Sequence, residues 1–300
     1  MLGALRQISS AAPAVVNSPQ FDIPRELKLQ ELLNHPAVQA GLAPFLAALV
    51  VAELFQRVRL SGLAIIAGFA ATVYLASDFN FEPLTASRKI VLSGLAGAAL
   101  ALLIDLLRLH WLRLLLPVLG GAVAIWTAQR ILQQQEPQLM LQWGAACAAY
   151  VAILIWGMDT LLDQEPLRAA SAGTALGIGT GAAALVGASA LLGQFGLAIG
   201  TAAGAHLLIQ MLTNQALPAG RLFTLPLALI AGLTACIAVL SARLPWYALA
   251  ILACIPLAVR LVPLPGNSVR IQSMLLVLLS FAFAGGAVYL TWRVAGNVPF

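Results

Sequence analysis

The sequence predicts an all-α, polytopic membrane protein of about ten transmembrane helices with short loops. Two observations lead there. The first is composition: 61% of the 300 residues are hydrophobic and only 9% charged, with a mean hydropathy of +0.94, whereas soluble domains carry about 25% charged residues. The second is spacing: apolar runs long enough to cross a hydrocarbon core of about 30 Å recur along the chain, separated by charged or Pro-rich joints. Soluble enzymes and disordered chains are both excluded, the latter because they are poor in apolar residues and rich in charge.

Residues 1–35 read as an N-terminal tail and residues 36–300 as a single helical bundle. The longest apolar stretch in the first twenty residues, 11–16, is too short for a secretory signal, so the tail is expected to be retained. Asp22 with Pro24 just after it opens a short helix over 22–34, with mixed faces suited to the membrane interface. Ten spans follow, at 36–56, 61–77, 88–107, 111–132, 139–158, 168–192, 195–213, 221–241, 245–262 and 271–292. The joint at Gly193–Gly196 is required by length, since 168–213 as one helix would run close to 70 Å at about 1.5 Å per residue. Connections are short, the longest being 78–87, which leaves no room for a soluble catalytic domain.

Fourteen of the sixteen basic residues are Arg, a bias expected of a GC-rich bacterial genome and hence of a bacterial inner membrane. Alternating spans put eight Lys and Arg on each face, so charge asymmetry does not orient the bundle. An even number of spans puts both termini on one side, taken as cytoplasmic. The net charge of +5 is dispersed over many loops, which points to anionic headgroups and away from nucleic acid. Cys147, Cys236 and Cys254 lie in three different spans without CxxC spacing and read as small packing residues. Trp111, Trp126, Trp246 and Trp292 read as interfacial anchors, with Trp143 and Trp156 near the ends of the fifth span.

The clearest internal pattern is glycine. Gly173, Gly177 and Gly181 recur every four residues on the sixth span, and Gly196, Gly200 and Gly204 on the seventh. Such stripes let helix backbones approach closely in lipid, where no hydrophobic drive holds helices together. They are expected to face protein. Ile178-Gly179-Thr180 returns as Ile199-Gly200-Thr201, an echo compatible with a duplicated hairpin or with chance in Gly/Ala-rich sequence. Pro117, Pro226 and Pro256 each fall inside a predicted span and add kinks. A five-plus-five repeat finds no matching residue pattern between the two halves.

Ionisable residues deep in a membrane point to function by default, and few are present. Glu53 precedes Arg57 by one turn, Asp105 precedes Arg108 by three residues, and Asp159 closes the fifth span, so each is expected to pair locally or reach an interface. Asp159, Asp163 and Glu165 are expected to form a solvated cluster with Arg168, too poor in oxygen ligands for a hard cation. His206 is the deep polar group, with Gln210 one turn on and Asn214 a further turn toward the loop. It has three open roles: a neutral histidine hydrogen-bonded to a neighbouring helix, part of a solute pathway with Gln210, Asn214, Thr180 and Thr201, or an axial ligand. The interval from Ala202 to His206 resembles the ligand spacing of light-harvesting helices, but no second membrane histidine accompanies it.

Catalytic signatures are missing: no HExxH, P-loop or dinucleotide fingerprint occurs in context. GASA at 187–190 and AHL at 205–207 resemble the serine and histidine motifs of rhomboid intramembrane proteases. Ala190 stands where that family has glycine, however, and only 17 residues separate Ser189 from His206, without the intervening span. A hairpin turning near Gln194 would leave the two roughly 10 Å apart in depth, against about 3 Å for a working dyad. The expectation is a permease-like protein, not an enzyme, without cofactor or metal. It would pass a small uncharged or weakly polar solute near the sixth and seventh spans. The alternative is a noncatalytic subunit of a membrane complex. Lipids are expected partners in either case, with membrane proteins or further copies of the chain as candidates.

Overall fold

The computed structural model describes residues 35–295 apart from 59, 78, 80, 108, 109, 219, 243 and 265–267. The interfacial helix expected at 22–34 lies outside them. Among the described residues the chain is helical throughout, with ten principal helices. These are α1 (Val38–Phe55), α2 (Leu63–Ala76), α3 (Ala86–Leu107), α4 (Leu116–Leu132), α5 (Pro137–Gln164), α6 (Pro166–Gly187), α7 (Ala190–Thr213), α8 (Gly220–Ser241), α9 (Trp246–Leu261) and α10 (Val269–Ala295). Seven are long and apolar enough to cross a membrane. The other three, α2, α4 and α9, are apolar but have only 14, 17 and 16 residues, short of the length that crosses a core of about 30 Å.

Each expected span has its helix, and the differences at their ends have local causes. Pro44 has no N–H to offer the carbonyl of Ala40, and α1 accordingly begins as a π-turn over Val38–Leu42 in which the N–H of Ala43 bonds Val38. Pro117 does not kink α4 but starts it, and the preceding five residues, His110–Leu114, form a separate 3₁₀ segment. Pro226 and Pro256 do lie inside helices. Asp159 does not end α5, which continues to Gln164. The largest correction concerns the sixth and seventh spans. Their hairpin turns at Ala188 and Ser189, not at 193–196, with Ser189 accepting a hydrogen bond from the N–H of Leu192 as N-cap of α7. Gly193 and Gly196 are buried helix residues.

The hairpin α6–α7 is the spine. Helices α1 and α2 pack on α7, α9 and α10 on α6, and α8 against both, while α3 and α4 attach through α8 and α5 through α8, α6 and α9. Helix α8 is almost wholly enclosed. Asp105 and Asp159, expected to pair locally or reach an interface, are instead paired between elements, whereas Glu53 is exposed beside Gln56 and Glu165 lies near Arg168 as expected. Asp159 of α5 meets Arg113 at 2.6 Å and Arg221 of α8 at 3.0 Å, and Arg221 also lies 3.8 Å from Asp105 of α3. Arg168 lies 3.8 Å from Glu165 and donates to the carbonyls of Val259 and Arg260, placing a cation on the negative end of α9. Lys89 donates to the carbonyl of Trp126 at 2.7 Å and lies 4.7 Å from its ring centre, so this tryptophan braces α3 against α4. No cluster of potential metal ligands occurs among the described residues. All three cysteines are free; Cys147 and Cys236 are buried, but Cys254, also expected in the packing, is exposed.

These pairings agree with strict alternation of the ten helices, since Asp105, Arg113, Asp159 and Arg221 all belong to one face. Cysteines introduced at Thr85 and Gln134 are expected to label from one side of the membrane, and those at Glu165 and Asn214 from the other. Labelling of all four from one side would contradict the alternation. Removal of one partner from a buried ion pair leaves an uncompensated charge costing about 3–5 kcal/mol. Asp159→Ala is therefore expected to lower unfolding stability far more than Glu53→Ala, whose carboxylate is exposed.

Candidate functional site

The site is built on the glycine contact between α6 and α7. A Cβ placed on Gly177 would lie 2.5 Å from the Cα of Gly200, and one on Gly196 equally close to the Cα of Gly181. Four of the six stripe glycines therefore form a contact of backbone on backbone, and Gly193, expected in the turn, extends it: a Cβ there would lie 3.1 Å from the carbonyl oxygen of Gly181. The other two behave differently. Gly173 faces α8, where a Cβ would meet Leu227 at 2.8 Å and Phe223 at 3.3 Å, and Gly204 has ordinary room, 3.5 Å from the methyl of Thr174. The Ile-Gly-Thr echo is not a structural repeat, for Gly179 faces Ala284 and Leu252 while Gly200 faces Gly177 and Ile178.

The antiparallel register that sets Gly181 on Gly196, Gly177 on Gly200 and Thr174 beside Gly204 brings Ser171 to the depth of His206. His206, Gln210 and Ser171 are all fully enclosed, at 0% exposure. Both ring nitrogens of His206, both polar atoms of the Gln210 amide and the hydroxyl oxygen of Ser171 have no hydrogen-bonding partner in the protein. The imidazole packs on Phe223 of α8, ring centres 5.0 Å apart, and Phe223 also borders Gly173. Three helices thus enclose five polar atoms in an apolar interior. A neutral histidine offers one donor and one acceptor, a glutamine amide two donors and an acceptor, and a serine hydroxyl one of each. Together these groups offer both donors and acceptors, but they bring no charge to balance an ion.

The remaining candidates do not converge on this cluster. Thr180 is buried with its hydroxyl unpartnered, but at about 1.5 Å per residue it lies roughly 14 Å nearer the opposite face than His206. Thr201 donates to the carbonyl of Ala198 within its own helix. Asn214 is the left-handed residue ending α7, at φ 53° with its N–H on the carbonyl of Gln210, and its side chain is exposed. Ser189 caps α7 seventeen residues before His206 on the same helix, about 25 Å away along the axis, so the protease dyad is geometrically excluded.

One polar contact was missed by span-by-span reading. Gln-x-Gly-Leu-Ala occurs at 39–43 and again at 194–198, and the two glutamines meet: Nε2 of Gln194 donates to Oε1 of Gln39 at 3.4 Å. Gln39 also donates to the carbonyl of Leu75, and its own carbonyl accepts from Thr72. The repeated pentapeptide was the available signal, hidden because it relates the first span to the seventh and crosses any division into equal halves.

Fold and site together define a multi-pass helical membrane protein with a closed polar cluster near one end of its central hairpin. Compared with known protein families, with curated proteins and with solved structures, the chain matches none of them.

The glycine geometry separates positions that composition treats alike. Gly177→Ala and Gly200→Ala are expected to lower thermal stability in detergent, by an overpacking cost of about 1–3 kcal/mol. Gly204→Ala is expected to be neutral or to stabilise by about 0.5–1 kcal/mol, the gain of replacing glycine inside a helix. Equal responses at the three positions would contradict the backbone contact.

Proposed function

We propose that this protein is a permease-type protein of a bacterial inner membrane that passes a small, uncharged, hydrogen-bonding solute across the cluster of His206, Gln210 and Ser171. The observation that carries the reading is the set of five enclosed polar atoms without protein partners. Leaving a buried donor or acceptor unsatisfied costs about 1–3 kcal/mol. A solute supplying both donors and acceptors would turn that cost into binding free energy. Neutrality follows from the surroundings, because an ion would enter an apolar interior without a counter-charge.

Access requires movement of α7. Its last turn is held by Arg270 of α10, which donates to the carbonyls of Met211 at 2.9 Å and Leu212 at 3.4 Å. Release of that clasp would open the cluster toward the face carrying Asn214. The glycine contact with α6 sets backbone on backbone along its middle, so a shift of α7 is opposed mainly by its packing on α1, α2 and α8. A second reading, a noncatalytic subunit, draws on α10, where Gly285 and Gly286 have open space beside them. It predicts a stable partner protein copurifying through that face. The stripes of α6 and α7 do not serve it, since they are spent on contacts within the chain.

Replacing unsatisfied polar groups with apolar ones separates the permease reading from a structural role. His206→Leu and Gln210→Leu are expected to raise the melting temperature while abolishing thermal stabilisation by a panel of glycerol, urea and acetamide, and flux of any stabilising solute in proteoliposomes. A melting temperature lowered by both substitutions would mark the pair as structural. Retained flux in both variants would overturn the pathway.

A further inference from the structure

Thr180, which stands apart from the His206 cluster, belongs to a second polar group. Serines and threonines inside helices commonly bond the carbonyl four residues back, as Thr174, Ser273, Ser280 and Thr291 do. Thr180 of α6 and Thr234 of α8 do not. Their hydroxyls, and that of Tyr150 on α5, have no hydrogen-bonding partner among the described residues, although none of the three residues is more than 8% exposed.

Packing brings the three to one level. Helices α5, α8, α6 and α9 each touch the next, α9 returns to α5, and α5 also reaches α6, so the four surround a common interior. Between α5 and α8, a Cβ on Gly232 would meet Val151 at 3.0 Å and Leu154 at 3.5 Å, and Cys236 lies 3.7 Å from the carbonyl oxygen of Cys147. Thr234, midway between Gly232 and Cys236, is therefore level with Tyr150. Between α6 and α8, Gly173 borders Phe223 and Leu227 at one end and Gly187 borders Leu244 at the other, so Thr180, midway, is level with Thr234 to within one turn. Direction follows from the helical repeat, in which residues seven apart share a face. Thr180 shares the face of Gly173, turned to α8, and Thr234 that of Leu227, turned to α6. Tyr150 shares the face of Gly157, where a Cβ would lie 3.0 Å from Pro256 of α9, and is flanked by Cys147 and Leu154, which meet α8. Its ring therefore enters the interior between α8 and α9.

We infer that the hydroxyls of Tyr150, Thr180 and Thr234 hold a buried water molecule that ties α5 to α6 and α8. No two of them bond each other, and a bridging water reaches oxygens about 5.5 Å apart, twice the length of an O–H···O bond. Each hydroxyl offers a donor and an acceptor, and one water satisfies three such groups with the three bonds typical of buried water. Room comes from Ala183 and Ala238, about one turn further along α6 and α8 and both fully buried, whose side chains are small. The group carries no charge, so water suits it where an ion would enter without a counter-charge. The site shares no residue with the His206 cluster and stands whether or not the chain is a permease.

The test is X-ray hydroxyl-radical footprinting of the full chain in detergent, in which radicals generated from a bound water oxidise the aromatic ring beside it. Tyr150 is expected to be oxidised in the wild type, while Phe69 and Phe195, fully buried against each other, are not. Combining Thr180→Val with Thr234→Val is expected to lower the rate at Tyr150 severalfold. An unoxidised Tyr150 in the wild type, or an equal rate in the folded double variant, would overturn the water site. If the double variant fails to fold, the melting temperatures of single variants decide. Tyr150→Phe, Thr180→Val and Thr234→Val are each expected to lower it by about 2–4 °C, the loss of one hydrogen bond; a rise in all three would mark hydroxyls that bind nothing and overturn the site.

Discussion

The contact on which the structure depends contains almost no side chain. Where α6 crosses α7, Gly177 and Gly181 meet Gly200 and Gly196 with their backbones within a Cβ's width of each other. Lipid offers no hydrophobic penalty to keep two helices together, so close packing of peptide groups is one of the few strong attractions available. The remaining helices arrange themselves around this hairpin: two on the outer side of α7, two on that of α6, and α8 against both. Helix α8 can then be almost entirely enclosed, since it is surrounded by protein on every side. Helices α3, α4 and α5 gather on α8, α5 touching α6 and α9 as well, and are tied there by ions, Arg221 serving two carboxylates from two different helices.

Much of this was legible in the sequence. Ten spans follow from hydropathy alone because lipid forces each backbone polar group to find a partner within its own helix, and a helix that crosses must be about 20 residues long. The joints were less legible wherever the residue marking them had a second use. Asp159 ends an apolar run, yet its charge is neutralised by Arg113 and Arg221 and the helix runs on. The glycines at 193 and 196 look like a turn, but the N-cap at Ser189 turns the chain earlier and leaves them as contact residues. Pro117 reads as a kink from inside a hydropathy window and acts as a helix start, where a missing N–H costs nothing.

The candidate site was legible in part. His206 and Gln210 stand out because they interrupt an apolar helix at one-turn spacing, and both prove to be enclosed and unpartnered. Ser171 could not be chosen from the sequence, since one serine in an Ala- and Gly-rich helix carries no signal until the register of α6 on α7 is known. Thr180 and Thr201 were drawn in by composition and are separated from the cluster by depth and by a bond within the helix. The cavity between α3 and α4 had no sequence signature at all. It arises because two consecutive helices diverge, and divergence is a property of their neighbours.

The hydrogen bond between Gln39 and Gln194 spans 155 residues of chain. During synthesis α1 and α2 leave the ribosome long before α7 exists, and the surfaces they bury against it, including Gly68 and Phe69, must wait in lipid. The α6–α7 hairpin, joined by a two-residue turn, can close as soon as it is made. The first hairpin produced is therefore among the last to settle, and a cell making this protein holds its N-terminal segment in the bilayer as an unfinished edge until more than half of the chain has followed.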